Sequence, residues 1–258
     1  MNLKQRLAMG ETAYGMMLSE LYTPNIVRVI ANCGYDFLLV DCEHGYFDMT
    51  QIANLTAVAD GCHLPILVRI AGENLGAVAK YLDMGVRGIL LADAKDAAQV
   101  KKFISRCLYA PDGDRGVSTF RAHTNYCKGN MNEVMREANG KNLVIVQMES
   151  PEAIGRLEEI AALPGVDGFL IGPNDLTQRM RMIGEYEHPA VLSLLQRVHD
   201  VAALHGKWSG VIASDARLLR VCREMGMTCF SAGSELNALH SGAMENYARL
   251  RALQEESV

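Results

Sequence analysis

The sequence predicts an α/β fold, a single-domain (β/α)8 (TIM) barrel spanning residues 1–258. Eight short apolar runs recur along the 258 residues, with helical segments between them. These runs are apolar throughout, which is typical of parallel strands that are covered on both faces. Eight strand–helix units in about 250 residues match the usual size of such a barrel. An open doubly wound sheet is the alternative, but no G-x-G-x-x-G motif follows the first run.

The predicted elements follow in order along the chain. The predicted strands are residues 13–18, 37–40, 65–70, 88–91, 143–148, 168–171, 208–211 and 227–231. Helical periodicity predicts helices at 25–33, 49–59, 77–84 and 94–107. Asn25 follows a proline and is a candidate N-cap, and Gly34 stands where a helix stop belongs. The longest irregular stretch, 109–132, is long enough to predict a functional loop.

The composition of the chain argues against a nucleic-acid-binding, a membrane-spanning or a secreted protein. The net charge of -5 with mixed signs argues against nucleic-acid binding, which needs a basic face. No apolar run approaches the roughly 20 residues that span a bilayer, and the polar N-terminus predicts no signal peptide. The seven cysteines form no C-x-x-C pair, so we expect a reduced, cytoplasmic protein.

Polar residues stand at the ends of the predicted strands, where a barrel carries its chemistry. They are Asp41, Glu43 and His44 after the second strand, Arg69 in the third, Gln147 and Glu149 in the fifth, and Asn174 and Asp175 after the sixth. The alternation of the fifth strand directs Gln147 and Glu149 to the barrel axis. We expect Glu43, by contrast, to point away from the centre of the site.

Glu149 and Asp175 follow neighbouring strands and can reach one hard cation together. Two carboxylates leave most of an octahedral shell to water or substrate oxygens, which favours Mg²⁺, with Mn²⁺ or Co²⁺ as alternatives. Zinc is disfavoured because no His/Cys cluster accompanies the pair. The alternative is that Glu149 is a solvated loop carboxylate.

Arg69 and His44 complete the predicted chemistry. The fork of Arg69 suits a carboxylate, either that of a substrate or that of Asp41 as a structural partner. His44 alone would be weak evidence, but a carboxylate at Asp41 can orient its ring as a general base. A metal, an arginine and an oriented base suit proton abstraction next to a carbonyl, in a 2-oxo acid such as pyruvate.

Several segments resemble one known family in order and spacing. They are "GYDFLLVDCEHG", "PILVRI", "YLDMGVRGIL", "YAPDGDRGV", "VIVQMESPEAI" and "GVDGFLIGPNDL". The chain resembles the HpcH/HpaI family of class II pyruvate aldolases over about residues 13–210. The resemblance implies a (β/α)8 barrel, a divalent metal and retro-aldol cleavage of a 4-hydroxy-2-oxo acid. It also implies a homo-oligomer, a hexamer in this family, that exchanges a C-terminal helix at about 238–254.

The resemblance also implies roles for individual residues. Glu149 and Asp175 would hold the metal, His44 with Asp41 would form the base dyad, Arg69 would bind the 2-oxo acid carboxylate, Gln147 would lie beside the enolate oxygen, and Gly172, Pro173 and Asn174 would contact the substrate.

The sequence departs from the usual aldolases at three places. Residues 92–93 replace a proline-containing turn after the fourth strand, and residues 14–16 replace a Gly-Thr-Trp. The loop "GVSTFRAHTNY" keeps Arg121 and adds His123, which could bind an extra carboxylate or carbonyl. We expect these changes to affect the aldehyde side of the site more than the metal side.

Two other functions remain open at this point. One branch of the family resembles the citrate synthase of staphyloferrin B-type siderophore biosynthesis, in which oxaloacetate condenses with acetyl-CoA. The other alternative is a non-catalytic barrel that acts in an assembly, which the intact set of polar strand ends disfavours.

Overall fold

Eight parallel strands form the centre of the protein. The computed structural model describes residues 1–255, so the predicted domain, 1–258, ends three residues beyond the described part. The strands are β1 (Ala13–Leu18), β2 (Phe37–Asp41), β3 (Ile66–Ile70), β4 (Gly88–Leu91), β5 (Leu143–Met148), β6 (Gly168–Ile171), β7 (Trp208–Ala213) and β8 (Cys229–Ser234). Each strand pairs with the next and β8 pairs with β1, so the sheet closes. The predicted (β/α)8 barrel is confirmed.

Helices surround this sheet. They are α1 (Leu3–Ala8), α2 (Ile26–Asn32), α3 (Met49–Cys62), α4 (Val78–Asp83), α5 (Ala97–Cys107), α6 (Met131–Lys141), α7 (Pro151–Gly155), α8 (Leu157–Ala161), α9 (Pro173–Arg179), α10 (Pro189–Leu204), α11 (Ala216–Glu224) and α12 (Glu235–Glu255). Two 3-10 turns lie at Leu75–Ala77 and Ala122–Thr124. Asn25 is the N-cap residue of α2 but makes no side-chain cap bond, while Gly34 adopts a left-handed φ of 88° after the helix.

The strand predictions hold to within a few residues. The strands β1, β4, β5 and β6 have the predicted bounds. By contrast, β2, β7 and β8 continue past the predicted ends into Asp41, Ala213 and Ser234. The hydrogen-bond ladder to the neighbouring strands sets these ends, whereas the prediction relied on apolar residues.

Alternation along the strands divides the core in two. Val144, Val146 and Met148 of β5 belong to the large cluster between sheet and helices. Leu143 and Ile145 belong to the smaller cluster inside the barrel. Residues 147 and 149 share the inward parity of 143 and 145, and both side chains are buried, as predicted.

The last helix begins with a buried carboxylate that holds the first βα loop. Glu235 is 5% exposed, and its Oε1 accepts the backbone N–H groups of Ser19, Glu20 and Leu21 at 2.9, 2.7 and 3.1 Å. Three hydrogen bonds to one charged oxygen fix the loop that leaves β1. This contact ties the last helix to the carboxyl end of the first strand.

Further along α12, large apolar side chains are exposed. They are Leu239, Met244, Tyr247, Leu250 and Leu253. The helix starts at Glu235, three residues before the predicted start. Its exchange between subunits stays a prediction, as does the hexamer. No helix within residues 1–255 is long and apolar enough to span a membrane.

Candidate active site

Asp41 and Arg69 form a buried ion pair at the carboxyl ends of β2 and β3. The two residues are register partners, so their side chains emerge side by side. Arg69 donates from Nε to Asp41 Oδ1 at 2.9 Å and from Nη2 to Oδ2 at 2.6 Å. Burial alone would raise the pKa of Asp41, but the hydrogen bonds and charge of Arg69 lower it below its ordinary value. Arg69 therefore has a fixed orientation and keeps Nη1 without a hydrogen-bond partner among the described residues.

The turn after β2 carries Glu43 and His44. Asp41 Oδ1 also accepts their backbone N–H groups at 3.0 and 3.3 Å, which fixes the turn. Glu43 points inward, with Oε2 at 3.3 Å from Nε of Arg69, so the expectation that it points away is wrong. The ring of His44 is largely exposed, and its Nε2 is 4.0 Å from Glu43 Oε2. In this arrangement Glu43 is the carboxylate nearest the imidazole, and the carboxylate of Asp41 is committed to Arg69.

Gln147 and Glu149 occupy the top of the barrel interior. Gln147 Nε2 donates a short hydrogen bond to Glu149 Oε2, and the backbone N–H of Asp93 donates to Oε1 at 2.6 Å. Gly172 leaves room for this carboxylate, since a Cβ there would lie 2.6 Å from Glu149 Oε2. Burial, followed by the charges of Glu43 and Asp175, raises the pKa of Glu149 to about 7. The carboxylate is thus held in place by hydrogen bonds, in surroundings that disfavour its negative charge.

Asp175 lies in the first turn of α9, half-buried and close enough for its charge to act on both Glu43 and Glu149. These three acidic groups form a negative centre that a hard divalent cation would neutralise. Within residues 1–255, no group of three His, Cys, Asp or Glu side chains converges as a complete metal site. The donor set therefore fits the predicted metal as two carboxylates, with the other positions left to water and substrate oxygens.

A second ion pair stands at the rim of the same site. Arg179, at the end of α9, contacts Asp93 with Nη1 at 2.7 Å from Oδ1, and Lys95 Nζ lies 3.9 Å from Asp93 Oδ2. Asp93 adopts a left-handed φ of 46°, which turns its backbone N–H toward Glu149. The departure at residues 92–93 therefore reaches Glu149 as well as the rim of the site.

An open cavity of about 490 Å³ lies between the turn of Glu43 and His44 and the residues Asp93 and Lys95 that follow β4. It is lined by Glu43, His44, Ala71, Gly72, Glu73, Asp93, Lys95 and Gln99. The lining is mostly polar and carries both signs of charge, which suits a small charged substrate better than an apolar one.

Arg121 and His123 lie away from this cavity. His123 Nδ1 is 3.4 Å from the backbone oxygen of Asp83, the last residue of α4. Helices run antiparallel to the strands of this barrel, so the end of α4 lies at the opposite, amino-terminal face. Arg121 lines another cavity there, together with Asp83. The structure of one chain does not bring either residue to Glu149, and their predicted contact with substrate stays a prediction.

The remaining residues predicted to contact substrate, Gly172, Pro173 and Asn174, differ in their surroundings. Gly172 abuts Glu149 and Pro173 is buried at the start of α9, while the exposed Asn174 accepts a hydrogen bond from Tyr186. Sequence reasoning noted residues 92–93 as a departure but gave Asp93 no role, and it missed Arg179. Asp93 directly follows the β4 region and would have been found by the strand-end rule, and Arg179 stands four residues after Asp175 on one helix face.

A closed barrel with polar groups at one end is typical of enzymes, and comparisons identify the class. The chain is 29% identical to a 5-keto-4-deoxy-D-glucarate aldolase from Shigella sonnei (strain Ss046) over 228 residues, 88% of each chain. An HpcH/HpaI aldolase structure from Desulfitobacterium hafniense DCB-2 superposes with a TM-score of 0.90 at 30% identity, covering 97% of both chains. The structure of the citrate synthase SbnG gives 0.88 at 26% identity, covering 98% of this chain and 99% of that one.

These findings define an enzyme, a class II aldolase within the carbon–carbon lyases. A family model for HpcH/HpaI aldolase/citrate lyase matches residues 15–241. The chain belongs to this family, and the resemblance stated from the sequence is confirmed. The family is metal-dependent, while the particular metal of this chain stays a prediction.

Proposed function

We propose that the protein cleaves a 4-hydroxy-2-oxo acid reversibly into pyruvate and an aldehyde, with His44, Arg69, Glu149 and Asp175 at the reaction centre. The observation that carries this proposal is the buried Glu149, which lies within reach of the charge of Asp175 and beside the space kept open by Gly172. A group of acidic side chains next to a rigidly held arginine suits a cation and a 2-oxo acid together.

Each residue has a distinct task in this proposal. A divalent metal, Mg²⁺ by the donor set, would be held by Glu149 and Asp175 and would supply positive charge for the enolate of pyruvate. Arg69 binds the substrate carboxylate through its remaining donor, because Asp41 already occupies Nε and Nη2. Gln147 holds the carboxylate of Glu149 in place by donating a hydrogen bond to it.

His44 supplies the base in the condensation direction. It takes a proton from the methyl group of pyruvate, the resulting enolate carbon attacks the aldehyde carbon, and the new alkoxide takes up a proton. Cleavage is the reverse of these steps. The exposed ring near Glu43 supports this role, because it can reach a substrate in the cavity above it.

Exchange of the methyl protons of pyruvate in deuterated buffer tests this function without an aldehyde. We expect the protein with Mg²⁺ to exchange these protons, and excess chelator to abolish the exchange, since the enolate then lacks its stabilising charge. NMR follows the methyl signal. Exchange that persists at full rate in chelator would contradict the metal-dependent aldolase.

Replacing Arg69 with Lys should weaken binding of the 2-oxo acid, raising its KM by roughly 10- to 100-fold. A lysine keeps the positive charge, but its ammonium lacks the planar fork that holds Asp41 through two parallel bonds and leaves a further donor for substrate. Steady-state cleavage at varied substrate concentration measures the change. Arg87→Lys is the matched control, because Arg87 precedes β4 at the opposite face. An unchanged KM in a folded Arg69→Lys protein would limit Arg69 to a structural role.

The likeness to the citrate synthase SbnG favours a second candidate, condensation of oxaloacetate with acetyl-CoA. The same arginine and carboxylates would then bind oxaloacetate. Incubation with oxaloacetate and acetyl-CoA, and separately with pyruvate and an aldehyde, distinguishes the two by whether citrate or a hydroxy-oxo acid accumulates. The oligomer and the cytoplasmic location expected from the sequence stay predictions.

A further inference from the structure

Asp93 links the two chain segments that carry the proposed metal ligands. Its backbone N–H donates to Oε1 of Glu149, which follows β5, at 2.6 Å. Its carboxylate lies 2.7 Å from Nη1 of Arg179, the last residue of α9, and the same helix carries Asp175. Asp93 therefore contacts one proposed ligand directly and holds the helix of the other, while the reaction proposed above gives it no part.

The turn after β4 holds Asp93 in a backbone conformation that few side chains adopt. Its φ of 46° lies in the left-handed region, which Asp and Asn tolerate better than most residues. Before it, the N–H of Ala92 donates to the backbone oxygen of Ile70 at 2.9 Å. After it, the N–H of Lys95 donates to Oε1 of Gln99 at 2.9 Å. Because both flanks are fixed, this conformation directs the N–H of Asp93 at the carboxylate that follows β5.

Helix α9 connects the other end of the ion pair to Asp175. Asp175 and Arg179 are four residues apart, which places them on one face of the helix, about one 5.4 Å turn from each other. The hydrogen bond to Asp93 raises the pKa of Arg179, and the charges of the two proposed metal ligands raise it further. The guanidinium thus lies close to both carboxylates and joins their helix to the turn after β4.

The exposure of this ion pair indicates a positioning role rather than a contribution to folding. The side chains of Asp93 and Arg179 are each 34% exposed, and ion pairs this open to water contribute little stability. The side chains of Arg69 and Asp41, by contrast, are 9% and 4% exposed, so separating them would leave buried charges unpaired. Removing the Asp93 carboxylate should therefore change the spacing of the groups around it without unfolding the barrel.

Two carboxylates bind one hard cation only when they are held at a suitable separation. Mg²⁺ requires oxygen ligands at about 2.0–2.1 Å in near-ideal octahedral geometry. Glu149 and Asp175 must therefore be kept close although their charges repel each other. Groups that hydrogen-bond to metal ligands fix their orientation, and loss of such a group weakens metal binding by roughly 10- to 100-fold. Asp93 is a group of this kind.

We propose that Asp93 is a positioning residue that sets the separation of the two metal-binding carboxylates, holding Glu149 with its N–H and the helix of Asp175 with its carboxylate. This inference rests on the proposed function, which assigns the metal to these two residues. It gives the departure at residues 92–93 a role, because the aspartate in place of the usual turn adds a carboxylate that reaches α9.

Equilibrium dialysis with Mg²⁺ tests the proposal without turnover. Asp93→Asn tolerates the left-handed φ but removes the charge that holds Arg179, so it should weaken Mg²⁺ binding by roughly 10-fold. Asp93→Gly frees φ and removes the whole side chain, and it should weaken binding at least as much. Glu158→Gln is the matched control, because it breaks an exposed ion pair with Arg197 outside the site. It should bind Mg²⁺ as the wild type does.

Arg179→Gln removes the other half of the ion pair and should weaken Mg²⁺ binding by a similar factor. If the pair acts as a unit, the double variant Asp93→Asn, Arg179→Gln should bind no more weakly than the weaker single variant. Each melting temperature should stay within a few degrees of the wild type, since the pair is exposed. Exchange of pyruvate methyl protons should need more Mg²⁺ for its half-maximal rate, and excess Mg²⁺ should restore the rate. Damage to the fold would not be restored in this way.

Glu149→Gln distinguishes failure of this inference from failure of the proposed function. If Glu149→Gln loses Mg²⁺ while both Asp93 variants bind it as the wild type does, the positioning role of Asp93 is overturned. Losses that add fully in the double variant would overturn the link through Arg179. Mg²⁺ binding that persists in Glu149→Gln would instead refute the metal site on which the proposed function depends.

Discussion

Replacing Glu149 with Gln is expected to abolish binding of the divalent metal and to lower aldol cleavage by roughly 10³-fold, since Lewis-acid stabilisation contributes several kcal/mol. The substitution removes the charge but keeps the size of the side chain beside Gly172. The oxygen of the new amide can still accept the N–H of Asp93, and the buried, unpartnered Oε1 of Gln147 can turn to accept a bond from its NH₂ group. Equilibrium dialysis with Mg²⁺ and a cleavage assay measure the two losses.

Glu152→Gln is the control for this substitution, because Glu152 is an exposed residue of α7 only three positions away. It should bind metal and turn over as the wild type does. Asp175→Asn should reproduce the defect of Glu149→Gln, since each carboxylate contributes charge to the same cation. A Glu149→Gln protein that retained both metal and activity would place the metal site elsewhere.

Replacing His44 with Ala should slow exchange of the methyl protons of pyruvate by roughly 10²- to 10⁴-fold, the usual contribution of a general base. Metal and pyruvate should still bind, because neither contacts the imidazole in the proposed arrangement. Proton exchange followed by NMR gives the rate, and dialysis gives the binding. His205→Ala, at an exposed position after α10, should behave as the wild type. Exchange at the wild-type rate in His44→Ala would mean that another group is the base.

Variants of Asp41 and Glu43 distinguish the carboxylate that orients Arg69 from the carboxylate that orients His44. Asp41→Asn removes the bidentate partner of Arg69 and is expected to weaken 2-oxo acid binding. Glu43→Gln alters the carboxylate nearest the imidazole and should act on the exchange rate instead. The sequence predicted that Asp41 orients His44, and equal effects of both variants on the exchange rate would support that dyad.

The barrel could be predicted because each strand carries its own signal. A run such as Phe37–Asp41 is apolar up to its last residue, and the residues that follow it mark a strand end at the catalytic face. The alternation of β5 was sufficient to predict that Gln147 and Glu149 point inward. Side chains of a strand alternate between its two faces, so all the odd-numbered residues from 143 to 149 share one face.

The partners of charged side chains were harder to predict. Whether Asp41 would serve His44 or Arg69 depends on the register between β2 and β3, which sequence spacing does not contain. Glu43 turns inward because Nε of Arg69, which is paired with Asp41, lies within reach of its carboxylate. This contact joins residues at the ends of two different strands. The loop containing Arg121 and His123 packs along α4 toward the other face of its own barrel, so its predicted contact with substrate stays a prediction.

The hydrogen bond from the backbone N–H of Ser19 to Glu235 joins residues 216 positions apart in the chain. The loop at Ser19 in turn borders the turn of His44, since a Cβ at Gly45 would lie 2.5 Å from the backbone oxygen of Ser19. During synthesis the first strands emerge long before Glu235 does. The loop at Ser19, which borders the turn of His44, therefore lacks its hydrogen bonds to Glu235 until the last helix has been made. Contacts of such long separation form late, after the rest of the sheet has offset the entropy of loop closure. We therefore expect the turn that carries His44, near the start of the chain, to be among the last parts of the barrel to reach its final shape.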